Sequence, residues 1–131
     1  MAEECCSPSE IFIFTCSGSS NVGQVANQAA VDLQQEGVGK MLCLAGIGGH
    51  VSGMISSAQS AKRLAGIDGC AVACTKKTME HVGLNLTDYV MITALGYEKA
   101  PHNGIVKKEA VQRVKDDLKK QIAKPIRIEV K

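Results

Sequence analysis

Ile11-Phe12-Ile13-Phe14-Thr15-Cys16-Ser17-Gly18-Ser19-Ser20-Asn21-Val22-Gly23-Gln24 decides the fold. From Glu10 to Cys16 the run is apolar and β-prone without alternation, the pattern of a strand buried on both faces in a parallel sheet. Ser17 to Asn21 is a turn of small residues. From Val22 the period changes. Val22, Val25, Ala26, Ala29, Ala30 and Leu33 fall on one helical face, with Ser20 or Asn21 as cap and Gly37 as stop.

The same alternation continues. Lys40 to Leu44 predicts a second short strand, and Ala45 to His50 a glycine-rich loop. Ser52 caps a helix to about Lys62, and Leu64-Ala65-Gly66-Ile67 reads as a weak third strand shortened by its glycine. A helix over 71–82 follows, stopped by Gly83. Asp88 to Thr93 is a fourth strand, and residues 94–105 form a longer loop. Val106 to Ile122 is an amphipathic helix whose lysines face solvent and pair between turns. Pro125 ends it, and Ile126-Arg127-Ile128-Glu129-Val130 alternates like a half-exposed edge strand. The expected fold is an α/β three-layer sandwich, Rossmann-like or flavodoxin-like. Its sheet is mainly parallel, with about five strands and a C-terminal edge strand. Residues 1–9 read as a flexible tail and 10–131 as a single domain.

Composition narrows the function. The 131 residues carry a formal net charge of +2 with mixed signs, which gives no basic patch for nucleic acid. No apolar run approaches a membrane span, and the acidic start Met1-Ala2-Glu3-Glu4 lacks the order of a signal peptide. The expected location is cytoplasmic. Six cysteines in a reducing compartment point to metal binding or thiol chemistry rather than structural disulfides.

Four of those cysteines share a topological place. Cys16 ends the first predicted strand, Cys43 nearly ends the second, and Cys70 follows the third. In parallel sheets the loops after the strands gather at one edge, where ligands bind. If Cys70 opens the next helix, Cys74 lies one turn along on the same face. Four thiols at one edge suit zinc, copper(I) or an iron–sulfur cluster. Cys70 and Cys74 alone suit a redox or sulfur-transfer thiol pair without a permanent metal, with Cys16 or Cys43 resolving. Lys76 and Lys77 add nearby positive charge.

Other features read more plainly. Gly18 to Gln24 is similar to a phosphate loop, but Gln24 and Val25 stand where lysine and a hydroxyl residue belong, so the glycine and serines serve the turn. Its amides could still receive a small anion. A phosphatase loop would need arginine where Val22 stands. His50 is a candidate fifth ligand, base or lid residue, and more simply a solvated loop histidine. His81 and His102 are expected to be exposed, and Asp68 to cap the helix after it. Cys5 and Cys6 lie in the tail. No residue set specifies a catalytic mechanism.

Three blocks together resemble the prokaryotic DGC-domain family. They are Cys16 to Gln24, Gly39 to Gly48, and Ile67 to Cys74, the last containing the Asp68-Gly69-Cys70 triplet. The likeness spans about residues 11–95. It implies that Cys16, Cys43, Cys70 and Cys74 are the family cysteines proposed to bind zinc. With the readings above, the expected partners are a metal ion and a small anion or sulfur-containing ligand, with neither nucleic acid nor membrane.

Overall fold

The computed structural model describes residues 10–126. In chain order the elements are β1 (Ile11–Thr15), α1 (Asn21–Gln35), β2 (Lys40–Met41), α2 (Leu44–Gly48), α3 (Ser52–Gln59), β3 (Arg63–Asp68), α4 (Cys74–His81), β4 (Asp88–Met91), a 3-10 turn (Ile92–Leu95) and α5 (Lys108–Ile122). The sheet order is β2-β1-β3-β4, and every pairing is parallel. Among the described residues the sheet has four strands rather than about five. The segment expected as the edge strand, residues 126–130, lies outside them except for Ile126, as does the tail with Cys5 and Cys6.

Alternation within β1 divides the core. Ile13 joins Ala65, Ile67 and Val90 beneath α1 and α5, whose inward residues include Ala26, Leu33, Val114 and Leu118. Phe12 and Phe14 face the other way, against Ile47 of α2, Ala58 of α3 and Met79 of α4. Both sheet faces are therefore covered, which gives the three-layer arrangement expected for a parallel sheet. No helix among the described residues is long and apolar enough to cross a membrane.

The third strand is six residues long and central, not weak. Gly66 does not shorten it because a neighbour fills its place. A Cβ there would stand 2.6 Å from Leu86 Cδ1, so the Leu86 side chain occupies the missing volume. The edges are closed by glutamines. Gln34 accepts from the Met41 amide of β2 at 2.8 Å. Gln121 both accepts from the Tyr89 amide and donates to its carbonyl at 2.8 Å, imitating a strand partner for β4. The lysines of α5 reach across to α1 as well as solvent. Lys115 and Lys119 each pair with Glu36 at 2.6 Å, and these bonds hold the Glu36 carboxyl below its ordinary range.

Candidate functional site

β1 has β2 on one side and β3 on the other, so the connections leave it in opposite directions. The crevice outside the carboxyl ends of β1 and β3 is the switch point where such sheets bind ligands. Cys16 and the Asp68-Gly69-Cys70 triplet stand there.

Each member of the triplet has a distinct task. Asp68 is 1% exposed. Its carboxylate accepts from the Thr75 amide at 2.8 Å, the Lys76 amide at 3.2 Å and the Tyr89 hydroxyl at 2.8 Å. It thus caps α4 from a distance and ties that helix to β3 and β4. Gly69 passes directly over the first turn of α1. A Cβ on it would meet Gly23 N and Val22 C, both at 2.8 Å. Its amide donates to Cys16 Sγ at 3.2 Å, and its carbonyl accepts from the Thr93 amide at 3.0 Å. Cys70 then turns into the crevice. Its carbonyl accepts from the Ala73 amide at 3.0 Å, closing a turn. Ala73 has φ 55°, a left-handed conformation unfavourable for a residue with a Cβ. That kink delivers the chain to Cys74, where α4 begins.

Cys16, Cys70 and Cys74 line one cavity of about 550 Å³. The loop 17–20, Leu44, Val72, Thr78 and Lys99 complete much of its wall. Cys43 does not line it. Cys43 is the exposed residue that precedes α2, while Leu44, Ala45 and Gly48 of that helix do line the cavity. Among the described residues, no three His, Cys, Asp or Glu side chains are grouped so that they could hold a metal ion. Burial pushes the Cys16 thiol up to about 11. The Gly69 amide opposes this, and Asp68, Cys74 and Cys70 add to it. Burial, then the bond to Asp68, also raises the Tyr89 hydroxyl, which stays a proton donor to that carboxylate.

The helix reading over 71–82 starts too early. The left-handed Ala73 delays α4 to Cys74, so Cys70 and Cys74 do not share a helical face. Both line the cavity instead. Ala45 to Gly48 is helical rather than loop because Cys43 and Val51 frame two short helices in succession. The first turn of α1 is partly engaged within the chain. The Asn21 amide donates to the Ala100 carbonyl, Gly23 N to Ser20 Oγ, and Gln24 Nε2 to the Gly18 carbonyl. His50 is exposed and does not line the cavity; its ring meets His81 edge-on at 5.2 Å. His102 is half-buried rather than exposed, with Nδ1 enclosed and unpartnered among the described residues. Lys76 lies over the Tyr89 ring at 5.7 Å and does not line the cysteine cavity.

The positive charge comes from Lys99 instead, which the sequence reading did not single out. Lys99 Nζ donates to Cys70 Sγ at 3.4 Å. It sits on a strap between Gly96 and Gly104, both of positive φ, that runs antiparallel to residues 19–21. Asn21 holds the strap twice through its side chain, donating to the Glu98 carbonyl at 2.9 Å and accepting from the Ala100 amide at 2.7 Å. The His102 amide donates to the Ser19 carbonyl at 2.8 Å. A lysine in an irregular loop carries no periodic signal, so only this pairing reveals its place. A larger cavity of about 880 Å³ lies along the β4 edge, lined by Lys76, Glu80, Asp88, Tyr89 and Gln121 among others, and contains no cysteine.

Comparison with known proteins places the chain in a family. A protein of Pseudomonas aeruginosa, described as anaerobic and virulence modulator AnvM, is 32% identical over 87 residues, 66% of each chain. The chain thus spans just under two thirds of that relative's length. No solved structure matches. The family model of the DGC domain matches residues 12–118, from within β1 to within α5, a span that takes in all four described cysteines; the chain belongs to the DGC domain family.

Proposed function

We propose that this chain binds a thiophilic metal ion, zinc first, through Cys16, Cys70 and Cys74, with Cys43 as the fourth ligand. The observation that carries the reading is the shared cavity: three thiols from two adjacent strand ends line it at the switch point. Thiolates suit the ion in chemical kind, although the sulfurs as they stand are not grouped to hold one among the described residues. Four thiolates around Zn²⁺ make a closed centre with net negative charge, and bonds to the sulfurs from outside offset that charge. The Gly69 amide on Cys16 and the Lys99 ammonium on Cys70 are such bonds. When bound, zinc supplies a redox-silent cross-link among these junctions. The thiols must be drawn together, and the Cys16 proton displaced, for this to happen.

We read the protein as cytoplasmic, where thiols stay reduced. A relative is described as a modulator; thiols that release metal on oxidation would give this chain a sensing role. Metal analysis after purification under reducing conditions tests the reading. About one zinc per chain is expected, lost in Cys70→Ser and Cys43→Ser. A metal-free chain overturns it, and visible colour would indicate an iron–sulfur cluster instead. One observation favours a second reading, a redox or sulfur-transfer protein. Lys99 pairs with Cys70 although no metal-holding group is assembled among the described residues. Absence of metal together with a reactive thiol at Cys70 or Cys74 would support that reading.

A further inference from the structure

We propose that the cysteine cavity also binds a small organic anion, a carboxylate-bearing molecule held by the Lys99 ammonium beside the sulfurs of Cys70 and Cys74. Size is the first argument. About 550 Å³ lies within the range of small-molecule sites, roughly 300–1,000 Å³, and far exceeds the room an ion needs. Charge is the second. Among the described residues, Lys99 is the sole Lys, Arg, Asp or Glu side chain lining the cavity, so nothing acidic among them competes with a ligand for it. Asp68 lies close by, but its carboxylate is committed to the Thr75 and Lys76 amides and the Tyr89 hydroxyl. The remaining wall is mixed. Ser17, Ser19 and Thr78 offer hydroxyls, and Leu44 and Val72 offer apolar surface, which suits a short carbon body behind the anionic group.

Preorganisation is the third argument. Lys99 is an exposed side chain, yet the backbone that carries it is pinned on both sides, at Glu98 and Ala100, by Asn21. The cation is therefore presented to the cavity by a fixed strap, which lowers the ordering cost of binding. The first-turn amides of α1 are partly engaged within the chain, and Lys99 supplies the formal charge for the anion. The proposal uses the same cavity as the metal reading and does not depend on it.

Paired alkylating probes of nearly equal size test the idea. Iodoacetate is anionic and iodoacetamide neutral; each transfers its carbon to a cysteine sulfur and releases iodide. The ratio of their rates at one cysteine cancels the reactivity of that thiol and reports attraction of the anion alone. It is read at Cys70 by peptide mass spectrometry on the full chain, reduced and treated with chelator, with circular dichroism as the check of folding. The iodoacetate-to-iodoacetamide ratio should exceed that of the urea-unfolded chain by about five-fold, the factor of an exposed ion pair near the top of its range. Lys99→Met should return the ratio to the unfolded value, and Lys99→Arg should retain it. Equal ratios in native, unfolded and Lys99→Met protein overturn the proposal. If chelation unfolds the chain, zinc-loaded protein carries the test. Acetate, but not acetamide, should change zinc release to a chromogenic chelator in wild type and not in Lys99→Met; no difference overturns it. Zinc content on the same samples reports on the metal reading separately.

Discussion

Replacing Asp68 with alanine removes the acceptor for three donors at once. The Thr75 amide suffers most, because Thr75 is wholly buried and its 2.8 Å bond to Asp68 has no water to replace it. A buried donor left unsatisfied costs about 1–3 kcal/mol, and bonds to a charged acceptor contribute about 1.5–3 kcal/mol each. The Lys76 amide and the Tyr89 hydroxyl are only partly buried, so water recovers much of their share. The net loss should be about 3 kcal/mol. With a urea slope of about 1.5 kcal/mol/M, the unfolding midpoint should fall by about 2 M. Tyr89→Phe is the control: it removes one donor, leaves the carboxylate its two amides, and should cost about 1 kcal/mol. The double variant should be less destabilised than the sum, because the hydroxyl has no partner once Asp68 is gone. An Asp68→Ala midpoint no lower than that of Tyr89→Phe would refute the claim that this carboxylate fastens α4 to the sheet.

Three other outcomes follow from the geometry. Gly69→Ala should cost about 1–3 kcal/mol by the same urea assay, since the new methyl meets backbone atoms of α1 at 2.8 Å and backbone cannot rotate away. Stability should decline as pH rises from 9.0 toward 11. The Cys16 thiol ionises near 9.0 in the unfolded chain but only at about 11 in the native state, so between those values the unfolded chain holds fewer protons. Two units correspond to about 2.7 kcal/mol, and partial exposure of Cys16 reduces this to about 1 kcal/mol; Cys16→Ala should lack that part of the decline. Gln121→Ala should lower stability by about 1–2 kcal/mol and promote association measured by light scattering, because it uncovers the Tyr89 amide and carbonyl at the β4 edge.

Elements with a strong period were legible. β1 and α1 are placed within a residue or two of their expected ends, because an unbroken β-prone run and an Ala/Val face leave little choice. The errors fall where tertiary contact outweighs local preference. Gly66 reads as a strand breaker until Leu86 is seen filling its space. Ala73 reads as a good helix former, yet it adopts a left-handed turn because Asp68 fixes the start of α4 at Thr75 and Lys76. Topology brought Cys16 and Cys70 to one crevice; Cys74 lines it too, though through the turn at Ala73 rather than the helical face expected, and the place of Cys43 depended on where β2 ends. Lys99 was beyond reach for a different reason. Its position depends on residues 98–102 pairing with residues 19–21, a contact far apart in sequence and without periodicity.

The triplet therefore works as one device. Asp68 sets the height of α4, Gly69 lets β3 approach α1, and the Gly69 amide meets Cys16 as a result of that approach. Cys70 and Cys74 stand on either side of a turn whose ends are fixed independently, one by the strand and one by the capped helix. The backbone positions that carry the two sulfurs are consequently set by the scaffold. A conservative change of a cysteine alters only chemistry, whereas a change at Asp68 or Gly69 alters where the sulfurs stand. If that is so, Asp68→Ala that still folds should keep all its thiols and yet bind metal or anion more weakly. Serine substitutions at Cys70 should instead remove binding while leaving the urea midpoint of the metal-free chain nearly unchanged.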